Sequence, residues 1–127
     1  MKPAVLDLWM HHADCYESYA PSECSIYATC SPQPMKHLKE APVLGAPLSS
    51  CFWVVDPKNY NRLVPLGAPG ELLIEGPLLA RGYLNDIEKT NKSFIMDPDF
   101  VGRLGLGSGR RMYRTGGKEK TYPNMLL

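Results

Sequence analysis

The stretch Gly70-Glu-Leu-Leu-Ile-Glu-Gly-Pro-Leu-Leu-Ala-Arg-Gly-Tyr-Leu84 decides how this chain is read. Apolar and polar residues alternate through Glu71–Glu75, which predicts a short strand. Gly70, Gly76 and Gly82 punctuate the run. Upstream, Phe52-Trp-Val-Val55 is β-branched and aromatic and predicts another strand. Asp56–Asn61 is rich in turn formers, so Arg62–Val64 returns as the second arm of a hairpin. Downstream, Asn85 is placed to cap a helix, with Glu88 completing a capping box. Ile87, Asn91 and Phe94 fall at helical spacing, and Pro98 ends that helix near Met96-Asp97. Val101–Arg111 reads as a flexible glycine-rich loop, and Met112–Thr115 as a last short strand.

Toward the amino end, apolar residues at Val5, Leu6, Leu8 and Trp9 have the spacing of one helical face. Tyr19–Glu23 reads as a loop, because Pro21 fixes its own φ and biases Ala20 toward extended geometry. Pro32, Pro34, Pro42 and Pro47 make residues 31–47 a connection with little regular structure. The class is mixed α+β and β-rich. A three-stranded patch needs something over its apolar face. Phe52–Val55 and Leu72–Ile74 are therefore expected to lack part of their cover, and the chain alone to be marginally stable.

A length of 127 residues suits one domain, and 44% hydrophobic content argues against disorder. A net charge of +1 gives no global attraction to nucleic acid or membrane. Six basic residues against one acid, Glu119, from Arg103 to Lys120 read as a solvated loop, the alternative being a phosphate or nucleic-acid contact. No signal peptide is recognised, and no apolar run approaches the ~18 residues of a membrane span, so a cytoplasmic location is expected. Cys15, Cys24, Cys30 and Cys51 are then expected to stay reduced. With His11 and His12 they match no closed zinc motif.

Chemistry concentrates in Tyr19-Ala-Pro-Ser-Glu23. A carboxylate at Glu23 suits Mg²⁺, a hard cation that takes oxygen ligands and bridges to phosphates. The Ser22 hydroxyl can donate to a phosphate oxygen, and the Tyr19 ring offers a flat apolar face to a base. The same five residues also read as a surface turn with a polar tip.

Taken in order, Tyr19-Ala-Pro-Ser-Glu23, Trp53-Val-Val-Asp-Pro57, Gly70–Leu84 and Tyr113-Arg-Thr-Gly116 resemble the adenylation domains of nonribosomal peptide synthetases, in a fungal style. These belong to the adenylate-forming AMP-dependent synthetase/ligase superfamily. The stretch Leu78–Asp86, followed by Glu88-Lys-Thr90, is especially close. The resemblance implies a partial large subdomain over residues 4–117: the end of an α/β sheet unit plus β-barrel strands. Residues 118–127 do not match. It implies ATP-dependent activation of an amino or aryl acid as an acyl-adenylate, with transfer to a carrier-protein thiol. Such chemistry depends on positioning and on neutralising phosphate charge.

Carried over by position, the resemblance places Tyr19 and Ala20 at the nucleotide, Ser22 at a phosphate and Glu23 on Mg²⁺. Ser18, Ile26 and Tyr27 match positions lining the acyl-substrate pocket. Gly70–Leu84 is implied to be scaffold. The chain also departs from the family. Glu17 replaces an asparagine, exchanging a donor–acceptor amide for an acceptor. Ala20 replaces a glycine, at a cost of roughly 1 kcal/mol if the loop requires positive φ. Gly117 replaces the aspartate that binds ribose, a loss of roughly 1.5–3 kcal/mol. The sequence contains no Ser/Thr/Gly-rich phosphate loop with its lysine, and Gly105–Gly109 lacks the strand–loop–helix context. The small carboxyl subdomain and a phosphopantetheine site are likewise not recognised. The implied cofactors are ATP and Mg²⁺. The implied partners are other synthetase segments or a carrier protein, with neither nucleic acid nor membrane. The expectation is a truncated fragment inactive alone. The alternative is a non-catalytic binding partner or a split piece that complements a synthetase in trans.

Overall fold

The computed structural model describes residues 3–25, 27–31, 34 and 45–116. Helix α1 (Pro3–Met10) comes first, as its apolar spacing predicts. Strands β1 (Ser18–Tyr19), β2 (Thr29–Cys30) and β3 (Ala46–Pro47) form a small antiparallel sheet in the order β1-β2-β3. A 3₁₀ turn, Ser22–Cys24, lies between β1 and β2. The remaining elements are β4 (Cys51–Asp56), β5 (Asn59–Leu63), β6 (Glu71–Glu75), α2 (Ile87–Ser93), β7 (Phe94–Met96), α3 (Asp99–Arg103) and β8 (Arg111–Arg114). Their strands form an antiparallel sheet in the order β5-β4-β6-β8-β7. The mixed, β-rich class expected from the sequence is the class found.

The large sheet packs on both faces: Phe52, Val55 and Leu72–Ile74 are buried, unlike the expectation, while Trp53 and Val54 stay half-buried. Leu72, Leu73 and Ile74 are 1%, 0% and 1% exposed. Leu72 and Ile74 pack with Phe52, Phe94, Tyr113, Cys24 and Ala28, while Leu73 packs with Val55, Ile95, Phe100, Val101 and Met112. Thus β6 is not an alternating strand with one wet face. Its three apolar residues serve two cores, as a central strand requires. The first core is roofed by the 19–28 and 79–83 segments, and the second by α3 with Tyr60 and Leu106. Fully burying a leucine or isoleucine is favourable by about 1.5–3 kcal/mol.

Register carries one row of side chains across four strands: Phe52 opposite Ile74, Ile74 opposite Tyr113, and Tyr113 opposite Phe94. This row underlies the loop that carries Glu23.

Three local expectations are corrected. The cap of α2 is Asp86, whose Oδ1 accepts the Lys89 N–H at 2.9 Å, rather than Asn85. Asn85 has a φ of +56°, in the left-handed region, whereas an N-cap residue is normally extended. The helix stops at Ser93, because Phe94–Met96 pairs with Arg111–Tyr113 as β7. The sheet's demand for an edge strand overrides the helical spacing of Phe94. Val101–Arg111 is also more ordered than a flexible loop. Asp99–Arg103 is helical, and Asp97 accepts the Gly109 and Arg110 N–H groups at 2.9 and 2.7 Å.

Candidate functional site

The loop Tyr19–Ser25 leaves β1 and is held at three points to the segment 78–83. The Ala80 N–H donates to the Glu23 carbonyl at 2.7 Å. The Ser25 hydroxyl donates to the Leu78 carbonyl at 3.2 Å. The Tyr83 hydroxyl donates to Glu23 Oε1 at 2.7 Å. Ser25 sits at φ +62°, ψ −140°, a strained geometry for a non-glycine residue that turns the chain out of the 3₁₀ segment. Ala20, by contrast, has no positive φ, so the alanine there carries no left-handed penalty.

Segment 78–83 is itself fixed from below. Arg111 donates to the Ala80 and Arg81 carbonyls at 2.7 and 2.8 Å, and its guanidinium lies 4.3 Å from the Phe94 ring centroid. The Tyr83 N–H donates to Thr90 Oγ1 at 2.8 Å, and the Thr90 hydroxyl donates to the Asp86 carbonyl at 2.7 Å. A Cβ on Gly82 would meet Thr90 Cγ2 at 2.5 Å, at a φ of +153°, so only glycine fits this close approach.

The Glu23 carboxyl is held below the usual carboxylate range, chiefly by the Tyr83 hydroxyl and against partial desolvation. Tyr113 and the positive charge of Lys89 lower it further. Lys89 Nζ lies 4.0 Å from the Tyr83 ring centroid. Tyr83 is raised above its ordinary value, first by the same Glu23 bond, and remains a neutral donor. Tyr113 is raised by burial and by Glu23. Burial, followed by the Glu23 charge, pushes the neighbouring Cys24 thiol up to about 12, so it stays protonated.

The structure thus brings Tyr19, Ser22 and Glu23 together on one rim of the first core. Ser22 and Ala20 are exposed, Glu23 is half-buried, and Tyr19 is half-buried against the core. Ser18 and Tyr27 are exposed, the latter at 53%. Ile26, Gly117 and residues 118–127 lie outside the described residues, as does most of 31–47. Sequence reading treated Gly70–Leu84 as scaffold and so missed Tyr83, whose hydroxyl touches the candidate metal carboxylate. The Tyr83–Glu23 bond spans 60 residues, and no local spacing signals such a contact.

The donor chemistry fits a magnesium–nucleotide complex better than a bare metal. Among the described residues, no group of three or more His, Cys, Asp or Glu side chains gathers. One carboxylate beside an exposed hydroxyl is a small oxygen donor set, and Mg²⁺ commonly takes one or two carboxylates together with substrate phosphates.

The family model described as AMP-binding enzyme matches residues 1–84. The chain is 62% identical over 116 residues to FR901469 synthetase of Dothideomycetidae sp., covering 91% of this chain and 1% of that protein. It is 59% identical over 116 residues to the nonribosomal peptide synthetase gloA of Glarea lozoyensis, covering 91% of this chain and 2% of that protein. It therefore spans only a few hundredths of these relatives. Among solved structures, a four-domain nonribosomal peptide synthetase bound to AMP and glycine superposes with a TM-score of 0.69 and 28% identity, over 91% of this chain and 8% of that one. The chain belongs to the AMP-binding enzyme family, and its residues correspond to a segment of a nonribosomal peptide synthetase adenylation domain.

Proposed function

We propose that this segment contributes the magnesium- and nucleotide-facing loop of an adenylation domain that activates an amino or aryl acid with ATP in nonribosomal peptide biosynthesis. Residues 4–117 are the domain portion. Tyr19 and Ala20 face the nucleotide, Ser22 a phosphate oxygen and Glu23 the cation. Ser18, Ile26 and Tyr27 belong to the acyl pocket, and Gly117 occupies the ribose-binding position without its carboxylate. Bound Mg²⁺ would neutralise phosphate charge. The observation that carries the reading is the anchoring of Glu23 by both its carbonyl and its carboxylate, beside an exposed Ser22. Such preorganisation suits a group that must hold charge in a fixed place.

The 127-residue polypeptide by itself contains no phosphate loop with a lysine and is expected to be inactive in adenylation. ATP–pyrophosphate exchange with a panel of amino and aryl acids tests this. Exchange above that of a Glu23→Ala control would overturn the inactivity. Binding of Mg²⁺·ATP unaltered by that substitution would overturn the site assignment. A cytoplasmic location fits the reading; among the described residues no helix is long and apolar enough to cross a membrane.

A second reading is association with other synthetase segments or a carrier protein, with or without complementation in trans. It is favoured by α1, whose Val5, Leu8 and Trp9 side chains are 42%, 61% and 54% exposed. Co-purification with separately expressed synthetase pieces tests it, and a chain that never associates counts against it.

A further inference from the structure

We propose that Tyr83 is the positioning residue of the Glu23 carboxylate, fixing its rotamer through Oε1 before a cation binds. This rests on the reading of Glu23 as a metal ligand. The Tyr83 hydroxyl is 2.7 Å from Oε1, and the Tyr113 hydroxyl is a lesser hydrogen-bond partner of the same carboxylate. Tyr83 is suited to the task because its own position is fixed from four sides. Its N–H is held by Thr90 Oγ1 at 2.8 Å. Its ring packs on Phe94 at 6.0 Å between centroids, and Lys89 Nζ caps the ring at 4.0 Å. The close approach of Gly82 to Thr90 sets its backbone. A carboxylate with a free χ angle must lose rotamer entropy when it binds a cation, and a fixed hydroxyl partner removes part of that cost beforehand. The arrangement parallels the outer-shell groups that orient metal-ligating carboxylates generally.

The test uses the full chain with Mn²⁺·ATP as probe, read by paramagnetic broadening of the Ser22–Ser25 backbone resonances. Tyr83→Phe keeps the ring, its contact with Phe94 and the Lys89 contact, and removes only the hydroxyl. We expect this variant to need about tenfold more Mn²⁺·ATP for the same broadening. Metal-free ATP, added with chelator, should perturb the Tyr19 resonances equally in both proteins. The Glu23 side-chain carbonyl carbon should shift in the variant without any metal present. Equal midpoints in wild type and Tyr83→Phe, with Glu23→Gln losing the broadening, would overturn the positioning role and leave the ligand role standing. Equal losses with metal-bound and metal-free ATP would assign Tyr83 a merely structural role. Broadening unchanged in Glu23→Gln would sink the ligand reading, and the proposal with it.

Discussion

The buried Glu71 carboxylate grips Arg114 at both oxygens, at 3.1 and 2.7 Å, and its Oε1 also accepts the Gly116 N–H at 3.2 Å. One side chain at the start of β6 thereby fixes the exit of β8, where the chain runs toward Gly117. Glu71 is 3% exposed, whereas the Arg114 side chain keeps 24% of its surface and lies 4.9 Å from the Tyr60 ring centroid.

Removing Glu71 leaves a largely covered guanidinium and a backbone N–H without their partner. Breaking such a pair is more costly than the pair's net contribution to stability. Glu71→Ala is expected to destabilise the fold by about 2–4 kcal/mol, measured as a lower denaturation midpoint with unchanged slope. Glu71→Gln retains one acceptor and should recover part of the loss. An alanine variant as stable as wild type would show that the pair is merely a surface contact.

The two-sided burial of β6 leads to a second expectation. Leu73 is fully buried between β4 and β8, facing Phe100 and Met112 across the second core. Leu73→Ala should cost about 2–5 kcal/mol. Wild type should melt in a single cooperative transition by circular dichroism. A broad, gradual melt would show that the two cores do not fold as one unit.

How far the sequence shows this fold depends on the range of the interaction. Glu71–Glu75, Phe52–Val55 and the 112–114 strand are legible because β-branched and apolar residues cluster between turn formers. Phe94 misleads because helical spacing and strand pairing compete for the same residue, and only the distant Tyr113 decides. The Asp86 cap fails for a related reason: Asn85 and Asp86 both have capping side chains, and the left-handed φ of Asn85 is set by the Tyr83–Asp86 bridge. At the candidate site, Glu23 and Ser22 are legible as a charged tip on a proline-stiffened loop. The cover over the first core is not, because it comes from Leu79, Ala80 and Tyr83, which pack back from an apparent scaffold segment.

Asp97 gives a pH dependence with a definite sign. It sits at φ +42° and receives the Gly109 and Arg110 N–H groups, which hold its carboxyl below the usual range. A depressed folded pKa contributes stability that is fully present above the unfolded value, about 3.9, and lost as pH falls through the folded value. The Gly109 and Arg110 amides should therefore lose hydrogen-exchange protection as acid protonates Asp97. In Asp97→Asn this acid-dependent part should vanish, while protection of the β6 amides stays as in wild type. Identical acid profiles in both proteins would assign the change to other carboxylates.

Arg111 links the sheet to the candidate site. Its planar fork spans the Ala80 and Arg81 carbonyls while the same guanidinium lies over Phe94. Lysine keeps the charge but cannot bridge two carbonyls with fixed geometry or lie flat against a ring in the same way. Losing one neutral acceptor contact and the stacking is worth about 1–2 kcal/mol. Because Ala80 N–H binds the Glu23 carbonyl, that loss should be felt at the loop before it is felt in the sheet. Arg111→Lys is thus expected to accelerate hydrogen exchange at Ala80 and Tyr83 several-fold while the Leu73 and Ile74 amides keep their protection. If all four accelerate together, the segment is not a separable layer over the sheet, and the anchoring of Glu23 is a property of global stability instead.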